Sequence, residues 1–165
     1  MTDMLVNLYA EREADRRVEL AANGVVFNRA LALDKQAITG FVKRHFSDTS
    51  SGWADECSVA LGRQPSGCFV AVYDGEPVGF ACYDATAKGM VGPIGVAESQ
   101  RGKGIATVLL NLCFEAMKAD GYAYAVIGWV SSEDFYRKCC GAIAIPGSVP
   151  GVYSRMLRNE SSVSN

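Results

Sequence analysis

The stretch Val91-Gly92-Pro93-Ile94-Gly95-Val96-Ala97-Glu98-Ser99-Gln100-Arg101-Gly102-Lys103-Gly104-Ile105-Ala106 constrains the fold of this chain more than any other. It reads as an apolar strand carrying a proline, a short loop with glycines and two cations, and then an amphipathic helix. Proline removes a ladder donor, so Pro93 implies a bulge or a local break in strand pairing, with peptide groups left free to bond a ligand. A glycine loop that enters a helix offers bare N–H groups and the positive end of the helix dipole, which suits a diphosphate. Two common phosphate loops are excluded. The P-loop needs Ser or Thr after Gly-Lys, where this chain has Gly104, and a glycine where it has Ala97. The dinucleotide fingerprint needs a third small residue where Thr107 stands.

The flanking segments alternate strand and helix signals. Leu5, Leu8 and Tyr9 fall at helical spacing before the charged run Glu11 to Arg17, which predicts a helical extension over 1–23 packed on the domain. Val25-Val26-Phe27 begins the first predicted strand. Asp34 suits the N-cap of a helix with an apolar stripe at Ile38, Phe41, Val42, His45 and Phe46. On that stripe His45 reads as a packed or partly exposed side chain rather than a catalyst. A second helix runs from Trp53 to Leu61. Cys68–Tyr73 and Val78–Tyr83 form a hairpin about Asp74-Gly75, and Met90–Ala97 is the fourth strand. Ile105, Val108, Leu109, Leu112, Cys113, Ala116 and Met117 mark one helix face, and Gly121 stops that helix. Tyr122–Val130 is the fifth strand, Glu133–Cys139 a short helix, and Ala142–Ile145 and Val152–Leu157 two closing strands. Residues 24–158 then form one domain, and Asn159 to Asn165 a polar, disordered tail.

Composition narrows the partners. The 165 residues suffice for one domain with a sizeable core. A net charge of −2 argues against nucleic acid, which requires a basic face. No apolar run approaches the ~20 residues of a bilayer span, and the N-terminus lacks the pattern of a signal peptide, so a cytoplasmic, membrane-free protein is expected. The six cysteines form no Cys-x-x-Cys pair and accompany a single histidine. That predicts free thiols in a reducing compartment and no metal site.

A second motif, Asp134-Phe135-Tyr136-Arg137-Lys138-Cys139-Cys140-Gly141-Ala142, follows the fifth strand. With Arg101-x-x-Gly104-x-Ala106 and the order of elements, the chain resembles the GCN5-related N-acetyltransferases, the GNAT family, over almost its whole length. The loop resembles that family's Gln/Arg-x-x-Gly-x-Gly/Ala pattern, and the second motif its Phe-Tyr-x-Lys-x-Gly-Phe segment. Two departures stand out. The family's frequent asparagine after the fifth strand is replaced by Ser131 and Ser132, and its closing phenylalanine by Ala142.

The resemblance implies an α/β fold with a mixed, mostly antiparallel sheet of six to seven strands. That sheet is flanked by helices and splayed between the fourth and fifth predicted strands. It also implies acetyl-CoA as cosubstrate, bound by Ile94, Gly95 and Val96 along the pantetheine arm. Arg101, Gly102, Lys103, Gly104, Ile105, Ala106 and Thr107 would surround the diphosphate. By the same resemblance Tyr136 serves as general acid beside the coenzyme sulfur, helped by a first-turn helix position that favours the tyrosinate. Phe46, Trp53 and Trp129 are the candidate acceptor-site residues. The fourth and fifth strands carry no carboxylate, so the base is open: Asp84 is the first candidate, followed by Glu133, Asp134 or a water-mediated path. The expected activity is direct acetyl transfer to a primary amine of a small molecule or peptide. The alternative is a non-catalytic acyl-CoA-binding module that acts as sensor or scaffold. The sequence leaves the acceptor, the acyl length and the oligomeric state open, a homodimer included.

Overall fold

The computed structural model describes residues 1–157, so the expectation for the tail at 159–165 lies outside the described residues. A seven-stranded sheet has the order β2-β3-β4-β5-β6-β1-β7. Its strands are β1 (Thr2–Asn7), β2 (Val25–Arg29), β3 (Cys68–Tyr73), β4 (Glu76–Tyr83), β5 (Met90–Val96), β6 (Tyr124–Val130) and β7 (Ile143–Ala144). The helices are α1 (Arg17–Ala22), α2 (Lys35–Phe46), α3 (Trp53–Leu61), α4 (Ile105–Ala119) and α5 (Glu133–Cys140). Two cores cover the two faces. Ile105, Leu109, Cys113 and Met117 of α4 pack with Val91, Val96 and Ile127 on one face, and Phe41 and Phe46 of α2 pack with Cys57, Ala60 and Phe80 on the other.

Local chemistry explains most element boundaries. The β3–β4 hairpin turns at Asp74 and Gly75, both with positive φ (51° and 77°), as a two-residue hairpin loop requires. The apolar stripe of α4 repeats every three to four residues, and its buried positions include Ile105, Val108, Leu109, Cys113 and Met117. All six cysteines are free, five of them buried, consistent with their placement in apolar segments.

Two expectations are corrected. Residues 2–7 are not helical: β1 pairs antiparallel with β6 (Leu5↔Val126) and with β7 (Leu5↔Ile143). Met4, Val6 and Leu8 alternate into the core with almost no exposure, a period of two that outweighs the helical spacing of Leu5, Leu8 and Tyr9. The helix of this region is confined to Arg17–Ala22. Val152–Leu157 is not a strand either. Gly151–Arg155 forms a 3-10 turn that starts after Pro150, where proline cannot donate to a ladder.

The segment between β1 and α1 is strapped to α4 through Asp15. Its carboxylate accepts from the Arg17 guanidinium (2.8 Å twice), the Arg17 N–H (3.1 Å) and the Asn111 amide (2.9 Å). Chiefly through the Arg17 side chain, these bonds hold the carboxyl at about 2, below its ordinary 3.8. The folded value lies below the unfolded one, so this contribution is present above about pH 4 and fades as pH falls toward 2. Melting temperatures measured between pH 5 and 2 should drop less in Asp15→Asn than in the parent, because the amide has no proton to gain.

Candidate active site

The sheet forks between β5 and β6. Their parallel ladder comprises Met90↔Val126 and Val91↔Ile127, after which the strands part. From Ile94 to Val96 one edge of β5 still pairs with β4, while the opposite edge has no strand partner among the described residues. The register against β4 slips between Ala81 and Tyr83, opposite Gly92 and Pro93, which is the bulge expected of a strand proline. Gly92 takes φ 135°, a conformation that L side chains rarely adopt, so a glycine begins the break.

A cleft of about 530 Å³ opens from this fork toward the helix that follows. Ile94, Gly95 and Val96 form one wall, the loop from Gln100 to Thr107 its mouth, and Phe46, Trp53, Phe135 and Tyr136 the remainder. Gly104 takes φ 92° at the N-cap of α4, and no side chain among the described residues caps that helix. The first-turn amides of Ile105, Ala106 and Thr107 are therefore open to an anion. An uncapped helix start beside an unpaired strand edge fits a long ligand with a diphosphate at one end and amides along its arm, as acetyl-CoA has.

The two cations of the loop are placed differently from each other. Arg101 reaches the cleft, but its Nε donates to the Val96 carbonyl (3.2 Å), which fastens the loop to the strand. Lys103 donates to Gln100 Oε1 (2.7 Å) and is not part of the cleft; it faces a neighbouring surface with Arg16 and Glu19. The helix start thus presents main-chain donors to the cleft, and the Lys103 ammonium does not.

Phe46 and Trp53 meet in the cleft with ring centroids 5.5 Å apart. Gly95 is required by this packing, because a Cβ there would stand 2.6 Å from Phe46 Cζ. Gly95→Ala is expected to push the ring into the cleft and cost about 1–3 kcal/mol of stability. Thermal melting and CoA titration would read the two effects.

Tyr136 lines the cleft from α5, and its hydroxyl bonds no other described residue. Its expected tyrosinate character is corrected. Burial, followed by the neighbouring Cys139 and Cys140 thiols, pushes the phenol up to about 12, so desolvation outweighs any benefit from the helix start.

Asp84 and Trp129 are not brought to the cleft. Asp84 sits at the Met90 end of β5, six residues or about 20 Å of strand from Val96. Its φ of 54° breaks the alternation that placed it with Phe80 and Cys82. The carboxylate accepts from Tyr122 OH (2.8 Å) and Gly89 N–H (2.6 Å) and lies 3.5 Å from Arg63, so it closes a turn. Trp129 is outside the cleft lining: its ring stacks on Tyr153 (4.3 Å) and its backbone N–H donates to Asp3 Oδ1 (2.9 Å). Of the other acids, Glu133 is paired with Arg137 (2.8 Å) and Asp134 is exposed. His45 is exposed and leans on Phe41, with 4.6 Å between ring centroids.

The sequence reading overlooked Glu56. This α3 carboxylate is half-buried and accepts from Thr86 Oγ1 at 2.5 Å. Burial raises its carboxyl above the usual range, partly offset by that bond.

The forked sheet, the uncapped helix N-terminus and the half-buried tyrosine thus meet at one cleft. The family model described as the acetyltransferase (GNAT) family matches residues 28–142. The chain belongs to that family. Solved structures agree in fold. The GCN5-related glucosamine N-acetyltransferase region of a fungal multi-domain GH3 β-N-acetylglucosaminidase matches with a TM-score of 0.68 at 17% identity, over 87% of this chain and 19% of that one. A GCN5-related N-acetyltransferase from Sphaerobacter thermophilus gives 0.66 at 22% identity, over 87% and 48%. A GNAT family acetyltransferase from Brucella melitensis, in complex with acetyl-CoA, gives 0.56 at 17% identity, over 73% and 88%. The chain spans less than half the length of the first two. Among curated proteins no sequence matches it. No helix among the described residues is long and apolar enough to cross a membrane.

Proposed function

We propose that this chain is an N-acetyltransferase that moves the acetyl group of acetyl-CoA directly to a primary amine of a small molecule or peptide. The observation that carries this reading is the fork at Gly92–Val96, continuous with the open amides of α4 and faced by Tyr136. Acetyl-CoA supplies an activated thioester when bound. The residues of this chain do the rest. Ile94 to Val96 hold the pantetheine arm along the unpaired edge of β5. Gly102 and Gly104 to Thr107 offer main-chain donors to the diphosphate, and Arg101 keeps that loop on the strand. An amide at the opened edge, near Val96, donates toward the thioester oxygen. The Tyr136 hydroxyl, protonated throughout the neutral range, donates to the sulfur as it leaves.

The test is incubation with acetyl-CoA and a panel of alkylamines, diamines and lysine-bearing peptides, with thiol release and acetylated product both followed. The reading expects thiol release that depends on the amine. Tight CoA binding with no acceptor acetylated would point instead to an acyl-CoA-binding module.

A further inference from the structure

We propose that Glu56 is the carboxylate that receives the acceptor's ammonium group and takes its proton. This rests on the acetyltransfer reading above.

Position comes first. Trp53 lines the cleft, and Glu56 lies one turn further along α3, where side chains three apart are neighbours at about 5–6 Å between Cβ atoms. The Tyr153 hydroxyl rests against Gly128, the β6 residue just beyond the last paired position of the fork. Tyr153 also feels the charge of Glu56 and interacts with Thr86, the residue bonded to Glu56. Glu56 therefore stands beside the closed end of the fork, on the α3 side and next to the turn from Asp84 to Met90, adjoining the cleft rather than lining it.

Three other carboxylates are otherwise engaged. Asp84 is tied to Tyr122, Gly89 and Arg63, and Glu133 to Arg137. Asp3 is buried, with one oxygen held by the Trp129 N–H. Glu56 makes no ion pair among the described residues. A half-buried carboxylate without a cation, fixed by a single hydroxyl, is suited to bind an ammonium and then accept a proton from it.

The proton balance closes. One ammonium proton passes to Glu56 Oε and on to solvent, which frees the nitrogen lone pair. The N–C bond forms as the C–S bond breaks, the sulfur keeps the bonding electron pair, and the second nitrogen proton ends on the thiol.

Glu56→Gln keeps the Thr86 bond, since the amide oxygen can accept it, and should melt near the parent temperature with unchanged CoA affinity. On the best alkylamine of the panel, kcat/KM at pH 7 should fall at least 100-fold. The deficit should shrink as pH rises toward the amine's own pKa of about 10, because bulk solvent then supplies neutral amine. The groups that bear on Glu56 leave that window clear: Thr86 does not titrate, and Tyr153 is pushed up to about 12, chiefly by burial. Glu56→Asp should show the same pH trend with a smaller deficit, and it serves if the glutamine variant fails to fold. A deficit below threefold, or one equal at every pH, overturns the assignment of Glu56 while acetyl transfer stands. A parent protein that binds CoA and acetylates no amine overturns the acetyltransfer reading itself, and Glu56 with it.

Discussion

Tyr136→Phe is expected to lower kcat about 100-fold, or about 2.7 kcal/mol of transition-state stabilisation, with CoA affinity changed by less than about twofold. Phenylalanine keeps the ring that closes the cleft and removes only the hydroxyl. A phenol pushed up to about 12 cannot readily surrender its proton to a thiolate whose conjugate acid lies near ~8.5. Its contribution is therefore a hydrogen bond to the departing sulfur, present only as charge builds there, which is why the loss falls on kcat rather than on binding. The raised value also sets the pH behaviour. Tyr136 remains protonated, and able to donate, through the whole neutral and mildly alkaline range, so it should produce no alkaline loss of activity below about pH 10. An alkaline limb near pH 8–9 that vanished in the phenylalanine variant would contradict the desolvated phenol described here, as would an unchanged kcat.

The parts of the molecule legible from sequence are those governed by local chemistry. The period of α4, the Asp74-Gly75 turn, the proline-bearing strand and the glycine loop each carry their own signal, and together they located the fork. What escaped depends on chain segments that meet only in three dimensions. Glu56 sits in an amphipathic helix where a glutamate reads as solvated, yet the folded chain half-buries it and brings Thr86 to its carboxylate. Asp84 was misplaced because strand alternation was extended one residue too far, into a left-handed position. Lys103 carries the right charge at the right spacing, yet folds back on Gln100. At the N-terminus two periodicities competed. The alternation of Met4, Val6 and Leu8 was present in the sequence, but it decides the structure only because β6 and β7 leave a gap between them.

Filling that gap gives β1 a consequence for the site, which Met4→Ala should expose. Met4 is fully buried and its strand lies between β6 and β7, paired to Ile127 and Ala144. Truncation to alanine leaves a cavity there, with an expected loss of about 2–5 kcal/mol and a melting temperature lower by roughly 5–15 °C. Leu33→Ala, at a side chain that is 91% exposed, should change little and serves as the control. The effect should extend beyond stability. β1 holds β6 from Asn7↔Tyr124 to Thr2↔Val130, and Asp3 fixes the backbone of Trp129 beside Gly128. A loosened β1 therefore lets the free arm of the fork drift toward β5, narrowing the slot between the strands. CoA affinity in Met4→Ala, measured well below its melting temperature, should weaken severalfold although Met4 lies outside the cleft. Unchanged affinity at reduced stability would mean that the fork is held open by β5 and its bulge alone.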